Sequence, residues 1–254
     1  MSHLNPTGRF SSRVSDYVRY RPSYPREILT LFEQECGLKR SSTVADIGSG
    51  TGLLAKLFLD FGCGVLGIEP NREMREAGEE FLAGSPKFSS VSGRAEATGL
   101  SNSSVDLVVA GQAFHWFDAA EARIEFARIL REPKWVALIW NEREVTDGFL
   151  TGYEELLKRY APDYGRVDHR QVGAPHMRAF FGYSNWKLAE FPNAQKFDLE
   201  GAQGRLRSSS YAPATSDPEF AAMMAELGRL FHEYEVDGQV AFVYSTKVYF
   251  GTLE

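Results

Sequence analysis

The chain of 254 residues has only two cysteines, Cys36 and Cys63, which are too few for a disulfide framework. It also lacks a long apolar run. The longest, Trp135 to Trp140 and Phe220 to Ala225, contain six residues each, whereas a membrane-spanning helix needs about 20. No apolar segment typical of a secretory signal occurs in the first fifteen residues. These absences exclude a disulfide-stapled or membrane-spanning protein and favour a cytoplasmic location.

Positive charge is scarce as well, because 34 acidic residues outnumber 28 basic ones and give a formal net charge of -6. A protein whose affinity came from coating a phosphate backbone would carry the opposite excess, so we do not expect a nucleic-acid partner. The 43% hydrophobic and 24% charged residues are typical of a globular chain. We expect one domain over residues 1–254, present as a monomer or homodimer.

The first 140 residues alternate between β-prone runs and helical stretches. The predicted strands are 43–47, 64–69, 87–93, 105–110 and 135–140, and the predicted helices are 27–35, 53–61, 72–81 and 118–130. Such alternation is typical of a doubly wound α/β sheet with parallel strands. Two further strand candidates, around 186–191 and at 240–250, raise the expected number of strands to seven. A helix at 218–234 precedes the last strand, with Ser216 and Glu219 as its expected capping box.

A glycine-rich bend follows the first predicted strand, with Gly48, Gly50 and Gly52 at alternate positions. A dinucleotide fingerprint, G-x-G-x-x-G, needs its third glycine where this chain has Leu53, so NAD is disfavoured. Glu69 ends the second strand, where its carboxylate can accept hydrogen bonds from both hydroxyls of a ribose. The pattern indicates a site for a nucleoside without phosphates.

The sequence resembles the class I S-adenosylmethionine-dependent methyltransferases in four segments: VADIGSGTG (44–52), GIEPN (67–71), GRAEATGLSNSSVDLVVAGQAFHWFD (93–118) and YRPSYP (20–25). It is most similar to the small-molecule branch, methyltransferase type 11, which includes the trans-aconitate methyltransferase-like proteins. The resemblance covers residues 10–141 well and the remainder in outline. It implies a Rossmann-like methyltransferase fold, S-adenosylmethionine as cofactor and a small-molecule acceptor.

The resemblance also implies a set of cofactor-binding residues. The methionine and ribose portion would be held by Asp46, Gly48, Gly50, Gly52 and Glu69. The adenine ring would be contacted by Pro70, Asn71, Ala95 and Glu96. The floor under the sulfonium would be formed by Gln112 and Ala113, and the methionine carboxylate would meet Arg21 or Tyr20. Two alternatives stay open: Glu96 as a solvated charge, and Arg21 as a tie between its segment and a surface acid.

Two candidate catalytic residues, His115 and Trp116, follow the fourth predicted strand at the edge where a cofactor would lie. We expect Trp116 to form a pocket wall, where an aromatic face attracts a sulfonium, and Phe114 and Phe117 to pack in the core. His115 is either a general base near neutral pH or a structural histidine that donates to a backbone carbonyl. A carboxylate acceptor would need no base, because it is ionised at pH 7.

The resemblance divides the chain into an N-terminal flap and helix (9–36), a cofactor-binding core (41–143), an acceptor lid (144–185) and the C-terminal strands and helix that complete the sheet (186–254). We expect Pro22 and Pro25 to break any helix in the flap. The flap arginines, which either pair with an anionic acceptor or form a solvated face, are Arg9, Arg13, Arg19 and Arg21. The candidate acceptor contacts are Trp140, Asn141, Arg143, Tyr164, His169, Arg170, His176 and Arg178. The spacing of His169 and His176 predicts no metal site.

These patterns lead to the hypothesis of methyl transfer from S-adenosylmethionine to an oxygen of a small molecule, with a carboxylate among the candidate acceptors. An NAD-linked oxidoreductase and a non-catalytic S-adenosylmethionine-binding module are the alternatives. An RNA methyltransferase is a third, since the N-terminal segment is basic, although the net acidity of the chain weighs against it.

Overall fold

The computed structural model describes residues 14–146, 148–161, 164, 173–183, 185–209 and 211–254. In chain order the elements are α1 (Val14–Tyr20), α2 (Glu27–Glu35), β1 (Thr43–Ile47), α3 (Leu53–Phe61), β2 (Gly64–Ile68), α4 (Arg72–Phe81), β3 (Phe88–Val91), β4 (Val105–Gly111), α5 (Ala119–Ile129), β5 (Leu130–Arg143), α6 (Gly148–Tyr160), α7 (Ala174–Phe181), β6 (Trp186–Phe197), α8 (Leu199–Arg207), α9 (Pro218–Tyr234) and β7 (Val240–Thr252). A 3-10 turn, Phe114–Trp116, lies between β4 and α5.

The seven described strands form one sheet in the order β3-β2-β1-β4-β5-β7-β6. The five strands from β3 to β5 pair in parallel, whereas β7 runs antiparallel to both β5 and β6. The predicted fold, a mostly parallel seven-stranded Rossmann-like sheet, is therefore confirmed. The chain moves outward from β1 to β3 and then returns to β4, so a crevice opens between the carboxyl ends of β1 and β4.

Helices cover both faces of this sheet because successive residues of a strand point to opposite sides. On β4, Leu107 and Val109 pack into a core with α2 and α3. Val108 and Ala110 pack into the opposite core with α5 and α7. A third core joins α6, α8 and α9 to β7, where Phe242 makes edge-on ring contacts with residues of α6. The parallel strands are thus buried on both faces, as a doubly wound sheet requires.

The N-terminal segment corrects one prediction: α1 is helical over Val14–Tyr20, although Pro22 and Pro25 were expected to break any helix there. Both prolines follow the helix, and a proline stops a helix from continuing through it but does not disrupt the turns that precede its last few residues. They therefore end α1 without preventing it.

Three predictions for the second half of the chain also need correction. Residues 144–185 contain α6 and α7, although no helical period was assigned there. The helix α8 was missed; Asp198 begins it by accepting a hydrogen bond from the Gly201 N–H at 2.8 Å. The residue that caps α9 is Asp217 and not Ser216, since the Asp217 carboxylate accepts from the Glu219 N–H at 2.9 Å. None of the described helices is long and apolar enough to cross a lipid bilayer.

Candidate functional site

The loop after β1 is a tight bend whose three glycines adopt left-handed conformations, with φ of 68° at Gly48, 54° at Gly50 and 82° at Gly52. Only glycine adopts this region without steric cost. The bend is tied to β2, because the N–H groups of Gly48 and Ser49 donate to the Ile68 carbonyl at 2.8 and 3.1 Å. A Cβ at position 48 would lie 2.7 Å from the Cβ of Ala113. The glycines therefore bring the bend close to the end of β4.

Glu69 follows β2 and faces this bend. Its carboxylate accepts hydrogen bonds from the Gly50 N–H at 2.9 Å and from the Asn71 N–H at 2.8 Å. Burial raises the pKa of Glu69, and these two N–H groups oppose the shift. Each carboxylate oxygen has two lone pairs, so each retains the capacity to accept a further hydrogen bond from a hydroxyl. The geometry thus leaves Glu69 able to bind a diol beside the bend.

A cavity opens between the bend, the end of β4 and the residues that follow α1. The predicted site residues that line it are Arg21, Asp46, Gly48, Gly50, Gln112, His115 and Trp116. The predicted site residues outside its lining are Gly52, Glu69, Pro70, Ala95, Glu96 and Ala113. Of this second group, Gly52 is the N-cap residue of α3, and the Cβ of Ala113 packs closely against Gly48 of the bend.

Asp46 is the most unusual residue of the cavity. Asp46 is 1% exposed, and neither carboxylate oxygen accepts a hydrogen bond of ordinary geometry among the described residues, although the Ala55 N–H lies nearby. Burial raises the pKa of Asp46 to about 7, while the Ala55 N–H lowers it and Glu69 adds to the rise. A buried carboxylate without a partner is costly, so its persistence here indicates a place for a cationic ligand group.

The end of β4 adds a strained residue to the cavity. Gln112 has a φ of 57°, which a residue with a side chain rarely adopts. Its amide Nε2 donates to the Asn141 carbonyl at 3.2 Å, and its own N–H donates to the Ile139 carbonyl at 2.9 Å. Strain held at the switch point of the sheet is typical of a ligand site.

The 3-10 turn separates two kinds of aromatic residue. Trp116 and His115 line the cavity with ring centroids 4.8 Å apart. Phe114 packs edge-on against Phe180 at 4.9 Å, in the core, and Phe117 packs against the same core. The structure confirms the predicted placement of these rings, whereas the catalytic roles of His115 and Trp116 stay predictions.

The residues predicted to meet adenine lie apart from the cavity. Ala95 is buried in the core, and Pro70 is exposed after β2. Glu96 accepts hydrogen bonds from the Asp118 N–H at 2.9 Å and from Arg94 Nε at 3.3 Å. Its carboxylate thus helps to position the start of α5, and an adenine contact stays a prediction.

The far wall of the cavity comes largely from residues that the sequence did not single out. They are Tyr17, Pro22, Tyr24, Arg205, Tyr211 and Tyr244. The hydroxyl of Tyr24 presses against Gly111, where an added Cβ would come within 2.4 Å of it. Tyr244 offered a weak signal, since the alternation along β7 predicts that it points inward. Nothing in its local sequence distinguishes Arg205 from a surface residue of a helix.

The structure places some of the candidate acceptor contacts in the cavity lining and others away from it. Asn141, Arg143 and Tyr164 line the cavity, but Trp140 is in the core, where it packs edge-on against Phe114 and Tyr249. Trp140 and Asn141 are adjacent on β5 and point to opposite faces, so only one of them can face the cavity.

The remaining candidates lie elsewhere. His176 and Arg178 are on α7, which packs against α5 and β7 and contributes no residue to the cavity lining. Arg19 is exposed and pairs with Glu200 at 3.6 Å. Arg9, Arg13, His169 and Arg170 lie outside the described residues. Within the described part of the chain, no three His, Cys, Asp or Glu residues come together as ligands for a metal ion.

Comparison with known proteins connects this geometry to a reaction. Residues 45–138 match a family model described as a methyltransferase domain. An uncharacterized methyltransferase of Schizosaccharomyces pombe is 28% identical over 225 residues, which cover 87% of this chain and 86% of that protein. Another, from Mycobacterium tuberculosis, is 35% identical over 150 residues, or 59% of either chain. A solved structure of a proposed type II methyltransferase from Anaeromyxobacter dehalogenans has a TM-score of 0.70 at 20% identity and covers 92% of this chain and 98% of that one.

The sheet order, the glycine bend and these relatives point to one class: residues 45–138 match a methyltransferase domain, and the chain has the fold of the class I S-adenosylmethionine-dependent methyltransferases. These matches favour a methyltransferase over the NAD-linked oxidoreductase that the sequence left as an alternative. S-adenosylmethionine is the cofactor that a methyltransferase domain of this fold implies.

The residues present fit this cofactor. S-adenosylmethionine carries a ribose diol, an ammonium group, a carboxylate and a sulfonium. Glu69 retains acceptor capacity for the diol, and the partnerless carboxylate of Asp46 suits a cationic group. Gly48 and Gly50 leave room for main-chain contact along the bend. Among the described residues, these groups lie along one edge of the sheet, as the fold requires.

Proposed function

We propose that the enzyme methylates an oxygen atom of a small molecule, and that a carboxylate is the acceptor that suits its cavity best. The observation that carries this proposal is the composition of the cavity, which joins the cofactor bend to a wall containing Arg21 and Arg205, whereas the third lining arginine, Arg143, already pairs with Glu154. Guanidinium groups recognise carboxylates through paired, charge-assisted hydrogen bonds. The wall therefore favours an acidic acceptor over a basic one.

When bound, S-adenosylmethionine supplies a methyl group on a sulfonium, and transfer forms the oxygen–carbon bond as the sulfur–carbon bond breaks and leaves its electron pair on sulfur. The residues of the chain hold the methyl donor and the acceptor in line for the transfer. Glu69 and the glycine bend hold the nucleoside end, and Asp46 offers a counter-charge to a cationic group. Alignment of two reactants in this way is worth about 7 to 11 kcal/mol of barrier.

Trp116 and His115 complete the arrangement at the end of β4. The indole of Trp116 provides an aromatic face that excludes water and attracts a cation by about 0.5 to 2 kcal/mol. His115 offers a polar ring atom at the same wall, which orients the attacking oxygen. A carboxylate has no proton to lose at pH 7, so this role requires no proton transfer. As further expectations, the protein is cytoplasmic, acts as a monomer or homodimer and needs no nucleic-acid partner.

The test has two parts. Calorimetry should detect micromolar binding of S-adenosylhomocysteine to the wild type and none to Gly50→Val, because a β-branched residue cannot adopt a φ of 54° there. Transfer from S-adenosylmethionine with a labelled methyl group is then measured against small acids, alcohols and amines. We expect a methyl ester, recognised by the release of labelled methanol in alkali. An alkali-stable product on nitrogen or carbon would contradict the oxygen assignment.

The pH dependence gives a second criterion. For a carboxylate acceptor we expect kcat/KM for the acceptor, measured with S-adenosylmethionine saturating so that Asp46 is already paired, to be flat between pH 6 and 8, and His115→Gln to lower it by a similar factor across that range. A general-base role would instead give the wild type a rise in rate with pH that His115→Gln abolishes, with a loss of about 10² to 10⁴.

A further inference from the structure

The linker between α1 and α2, residues 21–26, forms one side of the cavity although it has no regular secondary structure. Arg21, Pro22 and Tyr24 contribute to the cavity lining. Pro22 and Pro25 have no N–H group to donate, so the linker backbone has few hydrogen bonds of its own to offer. A fixed position of the linker over the cavity therefore depends on contacts from other parts of the fold.

Amide side chains of the sheet supply such a contact in the middle of the linker. The Ser23 carbonyl accepts from Asn193 Nδ2 of β6 at 2.8 Å and from Asn141 Nδ2 of β5 at 3.3 Å. Asn193 Nδ2 also donates to Asn141 Oδ1 at 3.1 Å, and the Thr246 hydroxyl of β7 donates to the same oxygen at 2.5 Å. Residues of three strands thus hold one carbonyl of the linker.

The inner part of this network is shielded from water. Asn141 is 5% exposed, and Thr246 has no exposed surface. A buried amide is expensive to leave without partners, so the bonds that it makes fix its orientation. Asn141 therefore presents its Nδ2 to the linker in a defined direction, and Asn193 completes the contact from the half-buried side.

The same network reaches the end of β4. Gln112, whose φ is 57°, donates from Nε2 to the main-chain carbonyl of Asn141 at 3.2 Å. Asn141 is thus bonded to the linker through its side chain and to Gln112 through its main chain. The linker also meets β4 directly, because the Tyr24 hydroxyl lies against Gly111. The position of the linker is consequently coupled to the wall of the cavity at the switch point of the sheet.

A separate set of contacts holds α1 and the start of the linker. Arg21 Nη2 donates to the Ser208 carbonyl at 2.8 Å, just after α8. Asp16 of α1 pairs with Arg207 of α8 at 2.9 Å. These contacts act before the middle of the linker, so they leave the stretch over β4 to the network of Asn193.

We propose that Asn193 is a positioning residue of the cofactor site, which holds the linker over the bound cofactor through the Ser23 carbonyl and slows its release. Asn193 does not line the cavity, so it acts through the linker and not by contact with a ligand. This inference rests on the proposed function, because it takes the cavity to be the cofactor site. When only part of the protein has the linker in place, the apparent Kd equals the intrinsic Kd divided by that fraction. Loss of the Asn193 contact then weakens cofactor binding without removing any group that touches the cofactor.

The experiment compares three variants of the full chain. Asn193→Ala removes both hydrogen bonds, whereas Asn193→Asp keeps the shape of the side chain but places an acceptor against two oxygens. Glu190→Ala is the matched control, because Glu190 lies on the same strand and accepts from the Ser245 hydroxyl of β7 at 3.0 Å instead of bonding to the linker. Calorimetry gives the Kd of S-adenosylhomocysteine. Stopped-flow fluorescence gives its dissociation rate, with Trp116 in the cavity lining as the reporter.

We expect Asn193→Ala to raise both the Kd and the dissociation rate of S-adenosylhomocysteine by about three- to tenfold, as the loss of one or two hydrogen bonds allows. Asn193→Asp should raise both further, and Glu190→Ala should change them less than twofold. The KM for S-adenosylmethionine should rise with the Kd, while kcat at saturating cofactor does not fall. The Tm values of ligand-free Asn193→Ala and Glu190→Ala should agree within about 3 °C.

Two results would overturn the inference while S-adenosylhomocysteine binds the wild type. One is a Kd and a dissociation rate that neither Asn193 variant changes. The other is a loss of affinity accompanied by a fall in Tm far larger than that of Glu190→Ala, which would assign Asn193 to the stability of the sheet. Absence of binding to the wild type would contradict the cofactor assignment itself, and the inference would be wrong with it.

Discussion

Asp46 is a buried carboxyl group without an ion-pair partner among the described residues, near the end of the strand that begins the cofactor site. A group of this kind lowers the stability of the ligand-free protein. Active sites retain such groups because they bind the ligand. We expect the ionised form of Asp46 to become favourable when a cationic ligand group is bound beside it.

We predict that Asp46→Asn stabilises the ligand-free protein at pH 8 by about 1 to 3 kcal/mol, because it removes a buried carboxylate that has no partner. The folded pKa of about 7 lies above the unfolded value. The contribution of Asp46 to stability is therefore fully present below about pH 4 and is lost as the pH rises through 7. Urea unfolding at pH 5 and pH 8 measures the difference between variant and wild type, which should be larger at pH 8. A difference independent of pH would contradict the assignment.

Gly48→Ala should be more destabilising than Gly37→Ala. Both positions have a positive φ, 68° and 67°, which costs an alanine about 1 to 2 kcal/mol. An added Cβ meets nothing within 4 Å at Gly37 but lies 2.7 Å from the Cβ of Ala113 at Gly48, which adds about 1 to 3 kcal/mol. Denaturant unfolding of the two variants isolates the crowding of the bend. Equal losses would show that the bend is not held against β4.

For individual residues, the sequence predicted which positions need glycine better than it predicted which charged side chains are buried. The glycine spacing and Glu69 were identifiable because few structures need alternate glycines followed by an acid at the next strand end. Arg205 was not identifiable, since a buried arginine and a solvated one look alike in a helical segment. Burial depends on the packing of α8 against β7 and α9, which no local pattern encodes.

Among the elements, α9 offers a clear test of capping. Asp217→Ala should destabilise the protein by about 1 kcal/mol, because the Asp217 carboxylate accepts the Glu219 N–H at the start of the helix. Ser216→Ala, one residue earlier, should change the free energy of unfolding by less than about 0.5 kcal/mol. Chemical denaturation of both variants checks the difference. If Ser216→Ala were the more costly change, the capping residue would have been assigned wrongly.

The elements that the sequence missed had signals of different strength. Along α6, Phe149, Leu150, Tyr153, Leu156 and Leu157 are buried at helical spacing, so the pattern was present although it was not assigned. For α1, two prolines concealed a helix of only seven residues that ends before them. The ends of β5 and β6 extend beyond the apolar runs because pairing with β7 continues through polar residues. Strand ends depend on partners in the sheet, and a single segment does not reveal them.

At the scale of the whole molecule, the sheet order explains why one cavity collects residues from both halves of the chain. The crevice at the β1 and β4 switch point receives the cofactor bend, and β5 and β7 carry Arg143 and Tyr244 to its far side. The alternation of strands and helices was sufficient to predict this sheet. The antiparallel insertion of β7 between β5 and β6 was not predictable, because it is a tertiary arrangement of late strands.

Ligand binding should stabilise the whole fold. At a concentration of 100 times its Kd, S-adenosylhomocysteine should add about 2.7 kcal/mol to the free energy of unfolding. For a domain of this size that corresponds to a rise in Tm of about 5 to 10 °C in a thermal denaturation experiment. NAD at the same concentration should leave Tm unchanged, since Leu53 replaces the third glycine that its pyrophosphate requires. A comparable shift with NAD would contradict the cofactor assignment.

The most direct test of the account is a crystal structure of the protein with S-adenosylhomocysteine. We predict that the ribose hydroxyls lie within hydrogen-bond distance of the Glu69 carboxylate, with the sulfur beside Gln112 and facing Trp116. Nucleoside density elsewhere, or a Glu69 side chain turned away from an occupied bend, would contradict it.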